Sequence, residues 1–192
     1  ENCTIYYEAV DGERPVISGG EKVTGDWRDE GNGTYSIPYE RDIKLRSLYV
    51  NGERAYMTQR DSQGRGDYGS YTVDSSKDWA WISGTRAAGT QLDAGAIPLD
   101  TRNQDDIELM TQTTWNTAIV CVDNLQDIGN GRISANYQMP YGAVAQQPSW
   151  NNNYKSGGWQ MMYNVFEWLP GAKGHFYFDK TEKRLYYCPR DG

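Results

Sequence analysis

Histidine occurs once in the 192 residues, at position 175, and cysteine three times, at 3, 121 and 188. A single imidazole excludes a metal cluster built on histidines, and the lack of any CxxC pair argues against a structural zinc site. A catalytic triad would have to use His175, yet no serine sits in a G-x-S-x-G elbow, so a place in a sheet or turn is the plainer reading. Three cysteines allow at most one intramolecular disulfide; otherwise they serve as small buried hydrophobes. Long apolar runs are missing too, and nothing approaches the roughly 18 residues of a membrane-spanning helix. Positive charge is scarce: 19 basic side chains stand against 26 acidic ones, for a net charge of -7. That balance argues against nucleic acid and against an anionic membrane as partners. No signal-peptide pattern is present and the chain opens on Glu1, which reads as a mature chain or a piece of a longer one.

Aromatics and glycine are plentiful, with 15 Tyr, 7 Trp and 21 Gly against only 3 Phe. Tyr and Trp rings serve both sheet cores and the flat C–H faces of sugars, so composition alone leaves both uses open. The local pattern is strand-rich. CTIYYEAV, 3–10, and PVISGG, 15–20, read as strands, and GNGTYSIPY, 31–39, as a Gly-rich turn followed by an extended piece. RSLYVNGERAYM, 46–57, reads as a hairpin about Asn51-Gly52, the preferred chemistry of a type I′ turn. Leu48 and Val50 would share its buried face, with Tyr49 on the other. NTAIVCVDNL, 116–125, and GRISANYQM, 131–139, read as neighbouring strands, and HFYFDKTEKRLYYCP, 175–189, as a second hairpin. Helix pattern is scarce. DDIELM, 105–110, could open a helical turn, but Ile107 and Leu109 are two apart and the threonines that follow are poor helix formers. MMYNVFEWL, 161–169, spaces Met162, Val165, Phe166 and Leu169 by threes and fours and ends at Pro170-Gly171, which predicts one short helix.

Candidate chemistry falls in the loops and at the carboxylates. Asp105, Asp106, Glu108, Glu167 and Asp179 could supply the carboxyl pair of a glycosidase, though solvated residues and turn caps are the alternative. Glu108 shares a face with Asp106 if that segment is extended. Oxygen ligands for calcium could come from Asp61, Asp67 and Asp74, or from Asp100, Asn103 and Asp105, but neither set has EF-hand spacing. No other cofactor is indicated. GRGDYGS, 64–70, lacks the Lys-Ser/Thr ending of a phosphate loop. Its RGD tripeptide is too short to carry an integrin argument. SWNNNYKSGGW, 149–159, gathers rings and amides suited to a sugar, with Trp150, Asn152, Tyr154 and Trp159 as the candidate contacts. DWAW, 78–81, adds Trp79 and Trp81, which would lie on one side of a strand. Packing in a core or against another domain is the competing use of both clusters.

Several segments together resemble one group of proteins. GERPVISGGEKVTGDW, 12–27, resembles the segment that leaves the first coil of a right-handed parallel β-helix in secreted bacterial polysaccharide-active proteins. RSLYVNGERAYMTQR, 46–60, resembles the LYVNG-R--RAR segment of the same proteins, and DIELMTQTTWN, 106–116, their acidic strand followed by tryptophan. NVFEWLPGAKGHFYFDKTEKRLYYCPRDG, 164–192, is similar to their closing segment. The likeness spans nearly the whole chain and is weakest over 60–105 and 139–160. In that group, which includes pectate-lyase-like and glycoside-hydrolase-like members, these segments build an all-β domain inserted early in the β-helix.

The resemblance implies an all-β fold, an antiparallel β-sandwich or distorted β-barrel with one short helix. It implies one domain over 1–192, with 1–20 a remnant strand of the adjoining β-helix. The implied partners are that β-helix and a polysaccharide or oligosaccharide, and the implied setting is secreted or on the bacterial cell surface. Arg54, Tyr56 and Arg60 would face the β-helix cleft. Residues 55–59 depart from the group's pattern there, which passes a cationic role to Arg60. The leading expectation is a non-catalytic accessory domain that binds polysaccharide or buttresses the cleft. The alternatives are a fragment that contributes directly to the active site of a glycoside hydrolase or polysaccharide lyase, and a structural or adhesive extracellular module.

Overall fold

The computed structural model describes residues 3–61, 89–112, 117–138 and 159–191. Among the described residues twelve strands form two six-stranded sheets. In chain order they are β1 (Arg28–Asp29), β2 (Tyr35–Pro38), β3 (Leu48–Val50), β4 (Glu53–Met57), β5 (Gln59–Asp61) and β6 (Gly89–Asp93), then β7 (Glu108–Gln112), β8 (Thr117–Gly129), β9 (Arg132–Tyr137), β10 (Trp159–Tyr163), β11 (His175–Asp179) and β12 (Arg184–Tyr187). The first sheet runs β1-β2-β12-β11-β4-β3 and the second β5-β10-β7-β8-β9-β6. The fold is all-β, a distorted sandwich, and its pairing is antiparallel except where β11 meets β4 in parallel.

The hairpins form where the turn residues place them. Asn51 and Gly52 both have positive φ, 52° and 81°, the backbone a type I′ turn requires. Leu48 and Val50 pack on the core while Tyr49 is exposed. Asn130 and Gly131 repeat the device between β8 and β9, with φ of 55° and 70°. The β11–β12 turn is held by Asp179, whose Oδ1 accepts the backbone N–H of Thr181 at 3.0 Å and of Glu182 at 2.9 Å.

Strict alternation in that last hairpin divides the interior. Phe176, Phe178, Leu185 and Tyr187 point into a cluster with Ile37 and Ala55. Tyr177, Tyr186 and Cys188 point the other way, onto Leu169 and Phe166. Both faces of β11 and β12 are therefore covered, and each large side chain buried there contributes about 1.5–3 kcal/mol. The second sheet has its own core of Leu92, Ile97, Ile107, Leu109, Val120, Val122, Leu125, Ile133 and their neighbours, which Val165 and Trp168 join. Residues 165–169 thus bridge the two cores. The backbone joins the sheets at Thr58: its N–H donates to Phe176 O at 2.9 Å, and its carbonyl accepts from Asn164 N at 2.8 Å.

Three expectations need correction. The helix over 161–169 is replaced by β10 and a single 3-10 turn, Phe166–Trp168. β10 pairs with β5 on one side and β7 on the other, and Asn164 at φ 69° ends it. Two ladders of backbone hydrogen bonds outweigh a helical spacing of apolar residues. Asp106 lies in the 3-10 turn Gln104–Asp106 rather than in the strand with Glu108. Residues 3–10 and 15–20 form no strand, because no described strand edge pairs with them.

Candidate functional site

The sheets diverge beside Thr58, and a knot of charge lies there. Glu108, on β7, has only 2% of its side chain exposed yet is surrounded by cations. Arg46 Nη1 and Nη2 donate to its two oxygens at 2.7 and 2.6 Å, and Lys44 Nζ approaches Oε1 at 2.8 Å. Lys44 also reaches Asp106 Oδ1 at 3.1 Å, and Asn164 Nδ2 donates to Asp106 Oδ2 at 2.9 Å. Burial works to raise the pKa of Glu108, but the bonds from Arg46 and Lys44 outweigh it and hold the carboxyl below its ordinary value. Lys44 shows the mirror image: desolvation lowers it, and Glu108 and Asp106 more than restore it, leaving it raised.

Above this knot opens a groove of about 350 Å³, lined by Arg46, Arg54, Tyr56, Gln59, Ile119 and Tyr163, among others. Arg54 and Tyr56 are two apart on β4 and so share its outer face. Tyr49 lies directly across from Arg54 on β3, and His175 across from Tyr56 on β11, with rings 5.9 Å apart. Tyr49 and Tyr56 are 62% and 52% exposed. Among the described residues the Arg54 guanidinium has no ion pair, although its backbone carbonyl accepts from Arg190 Nη2. Among the described residues the Tyr163 hydroxyl reaches the Met110 sulfur, at 3.7 Å. Burial and the nearby Glu108 charge raise its pKa, so it stays a donor.

A second hollow of about 280 Å³ lies by β1 and the β11–β12 turn, between Arg28, Glu30, Arg102 and Glu182. Its charges are spent on one another. Arg28 pairs with Glu30 at 2.7 Å, and Arg102 with Glu182 at 3.3 Å and with Asp179 at 2.9 Å. Arg102 also covers the Phe166 ring, 4.0 Å from its centroid. Thr34 lines the hollow with a buried hydroxyl that has no partner among the described residues.

The candidates from sequence therefore separate. The structure brings Arg54 and Tyr56 into one groove. Arg60, on β5, does not line it and instead sits 4.7 Å over the Trp168 ring. Trp159 opens β10, with its backbone opposite Thr111. Trp79, Trp81, Trp150, Asn152 and Tyr154 lie outside the described residues. The carboxylates offered as a glycosidase pair are engaged: Asp105 with Lys180, Asp106 with Lys44, Glu108 with Arg46, Glu167 with Thr101 and Asp179 with Arg102. Glu108 and Asp179 both have lowered pKa values, the opposite of what a general acid needs. Among the described residues no group of three or more His, Cys, Asp or Glu could hold a metal. Of the second calcium set, Asn103 bonds Tyr177, Asp179 and Thr181, and Asp105 bonds Lys180. The three cysteines are free thiols, with Cys3 exposed and Cys188 buried. Sequence reasoning missed Lys44 and Arg46 because their partners lie more than 60 residues away in the chain.

Fold and site together define an all-β domain with a groove between its sheets, its candidate carboxylates engaged by neighbouring side chains. Residues 36–190 match the model of the GH141 insertion domain, and the chain belongs to that family. A solved structure titled "Glycoside hydrolase" superposes with a TM-score of 0.58 at 17% identity, covering 88% of this chain and 28% of that one. The chain thus spans just over a quarter of the hydrolase it resembles, and the likeness is one of fold. No curated protein matches.

Proposed function

We propose that this domain is a non-catalytic wall of a polysaccharide cleft, held against the β-helix of a secreted or cell-surface bacterial glycoside hydrolase. The observation that carries this reading is the N-terminal segment. Ile5, Tyr6, Tyr7, Val10, Val16 and Ile17 are between 68% and 91% exposed, a density of bare apolar side chains that marks a surface built to be covered. Their occupant is the β-helix, which offers strand edges and apolar coil faces. Residues 21–41 then tie the segment to the domain: Val23 packs on the first-sheet core and Glu21 accepts from Arg41 Nε at 2.9 Å.

Amide hydrogen exchange tests the proposal. Backbone N–H groups of residues 3–17 are expected to exchange freely in this chain and slowly in a longer chain that carries the β-helix. Equal, fast exchange in both chains would sink the reading.

A further inference from the structure

The groove between the sheets has more donors than its own acceptors use. Among the described residues Glu108 is the only carboxylate lining it, and that carboxylate is taken up by Arg46 and Lys44. Lys44 and Arg46 balance Asp106 and Glu108, so the charge of Arg54 is left over, in a protein whose net charge is -7. Arg46 spends one hydrogen on each Nη and has 56% of its side chain exposed, which leaves its remaining donors open. Tyr163 adds a protonated hydroxyl and Gln59 an amide. Tyr56 supplies a half-exposed ring on the same strand face as Arg54, and Ile119, 51% exposed, an apolar wall.

A guanidinium with no ion pair beside an exposed ring fits a ligand carrying both a carboxylate and a C–H face. We propose that the groove binds a uronosyl residue of an acidic polysaccharide, with its carboxylate on Arg54 and its pyranose face on Tyr56. The second hollow is not an equal candidate, since its two arginines are already matched by carboxylates. The inference rests on the proposed cleft-wall function for its carbohydrate context, but not on the apolar N-terminal surface.

Titration calorimetry of this chain with trigalacturonate and triglucuronate tests it, with the methyl-esterified trisaccharides and short polyglutamate as comparisons. Saturable binding to at least one acidic trisaccharide is expected, with affinity about tenfold or more above that of its ester, because the ester forfeits a charge-assisted bidentate bond. Arg54→Gln should abolish that difference, and Tyr56→Ala should weaken both acid and ester. Both residues are exposed, so unchanged thermal melting of the variants is the folding control. Equal affinity for acid and ester, no binding to either acid, or full binding by Arg54→Gln would overturn the proposal. Polyglutamate binding as tight as the sugar would overturn the sugar assignment. Exchange protection of residues 3–17 does not depend on these outcomes, so the two readings fail separately.

Discussion

Two tyrosine pairs in this chain have opposite fates. Tyr6-Tyr7 and Tyr186-Tyr187 both sit in runs that read as strand. The first pair is 76% and 85% exposed, the second 4% and 7%. Tyr186 and Tyr187 are placed by partners on two sides: β12 pairs with β11 and β2, and cores lie on both faces. Tyr6 and Tyr7 have no described strand beside them. A strand-like pattern states which residues could pair, and the partner decides whether they do.

The sharpest way to break the comparison is to empty the paired end. Phe176→Ala should cost about 3–5 kcal/mol in urea unfolding, because the cavity opens in a core covered on all sides. Glu108→Gln comes next, at about 2 kcal/mol, since it weakens the charge-assisted bonds from Arg46 and Lys44 while Lys44 keeps Asp106 and Arg46 keeps its contact with solvent. Gly52→Ala should cost about 1–2 kcal/mol at the β3–β4 turn. A Cβ there meets nothing within 4 Å, so the whole effect is the positive φ of 81°.

A smaller effect appears only in alkali. The Tyr186 hydroxyl is pushed up to about 12 by burial and by its bond to Glu182. Its folded pKa exceeds its unfolded value of about 10, so the stability it gives is complete below pH ~10 and fades as pH rises towards 12. Tyr186→Phe should flatten the alkaline limb of a stability profile measured by thermal melting. The smallest effect belongs to the unpaired end. Tyr7→Ala should change the stability of this chain by less than about 0.5 kcal/mol. The same substitution in a chain that includes the β-helix should cost several times more, and equal small values in both would remove the contrast between the two tyrosine pairs.

Much of the fold can be read before any contact is known. Asn51-Gly52, the alternation on either side of it, and HFYF with RLYY each carry their own turn and face signals. MMYNVFEWL misleads because a spacing of threes and fours suits a helix, while a strand flanked on both sides takes its conformation from its neighbours. The groove was half visible: Arg54 and Tyr56 sit two apart after a turn. The other half comes from β7, β8 and β10, more than 50 residues downstream, and no local pattern announces it.

By itself, the sequence determined the all-β character, the turns and the buried faces of the hairpins, because backbone sterics and period-two alternation are local. Tertiary structure alone decided that Thr58 carries the chain between sheets, that Lys44 and Arg46 neutralise Glu108, and that Arg54 keeps an unspent charge. Those outcomes depend on which distant groups arrive within about 4 Å, where Coulomb and hydrogen-bond energies become decisive.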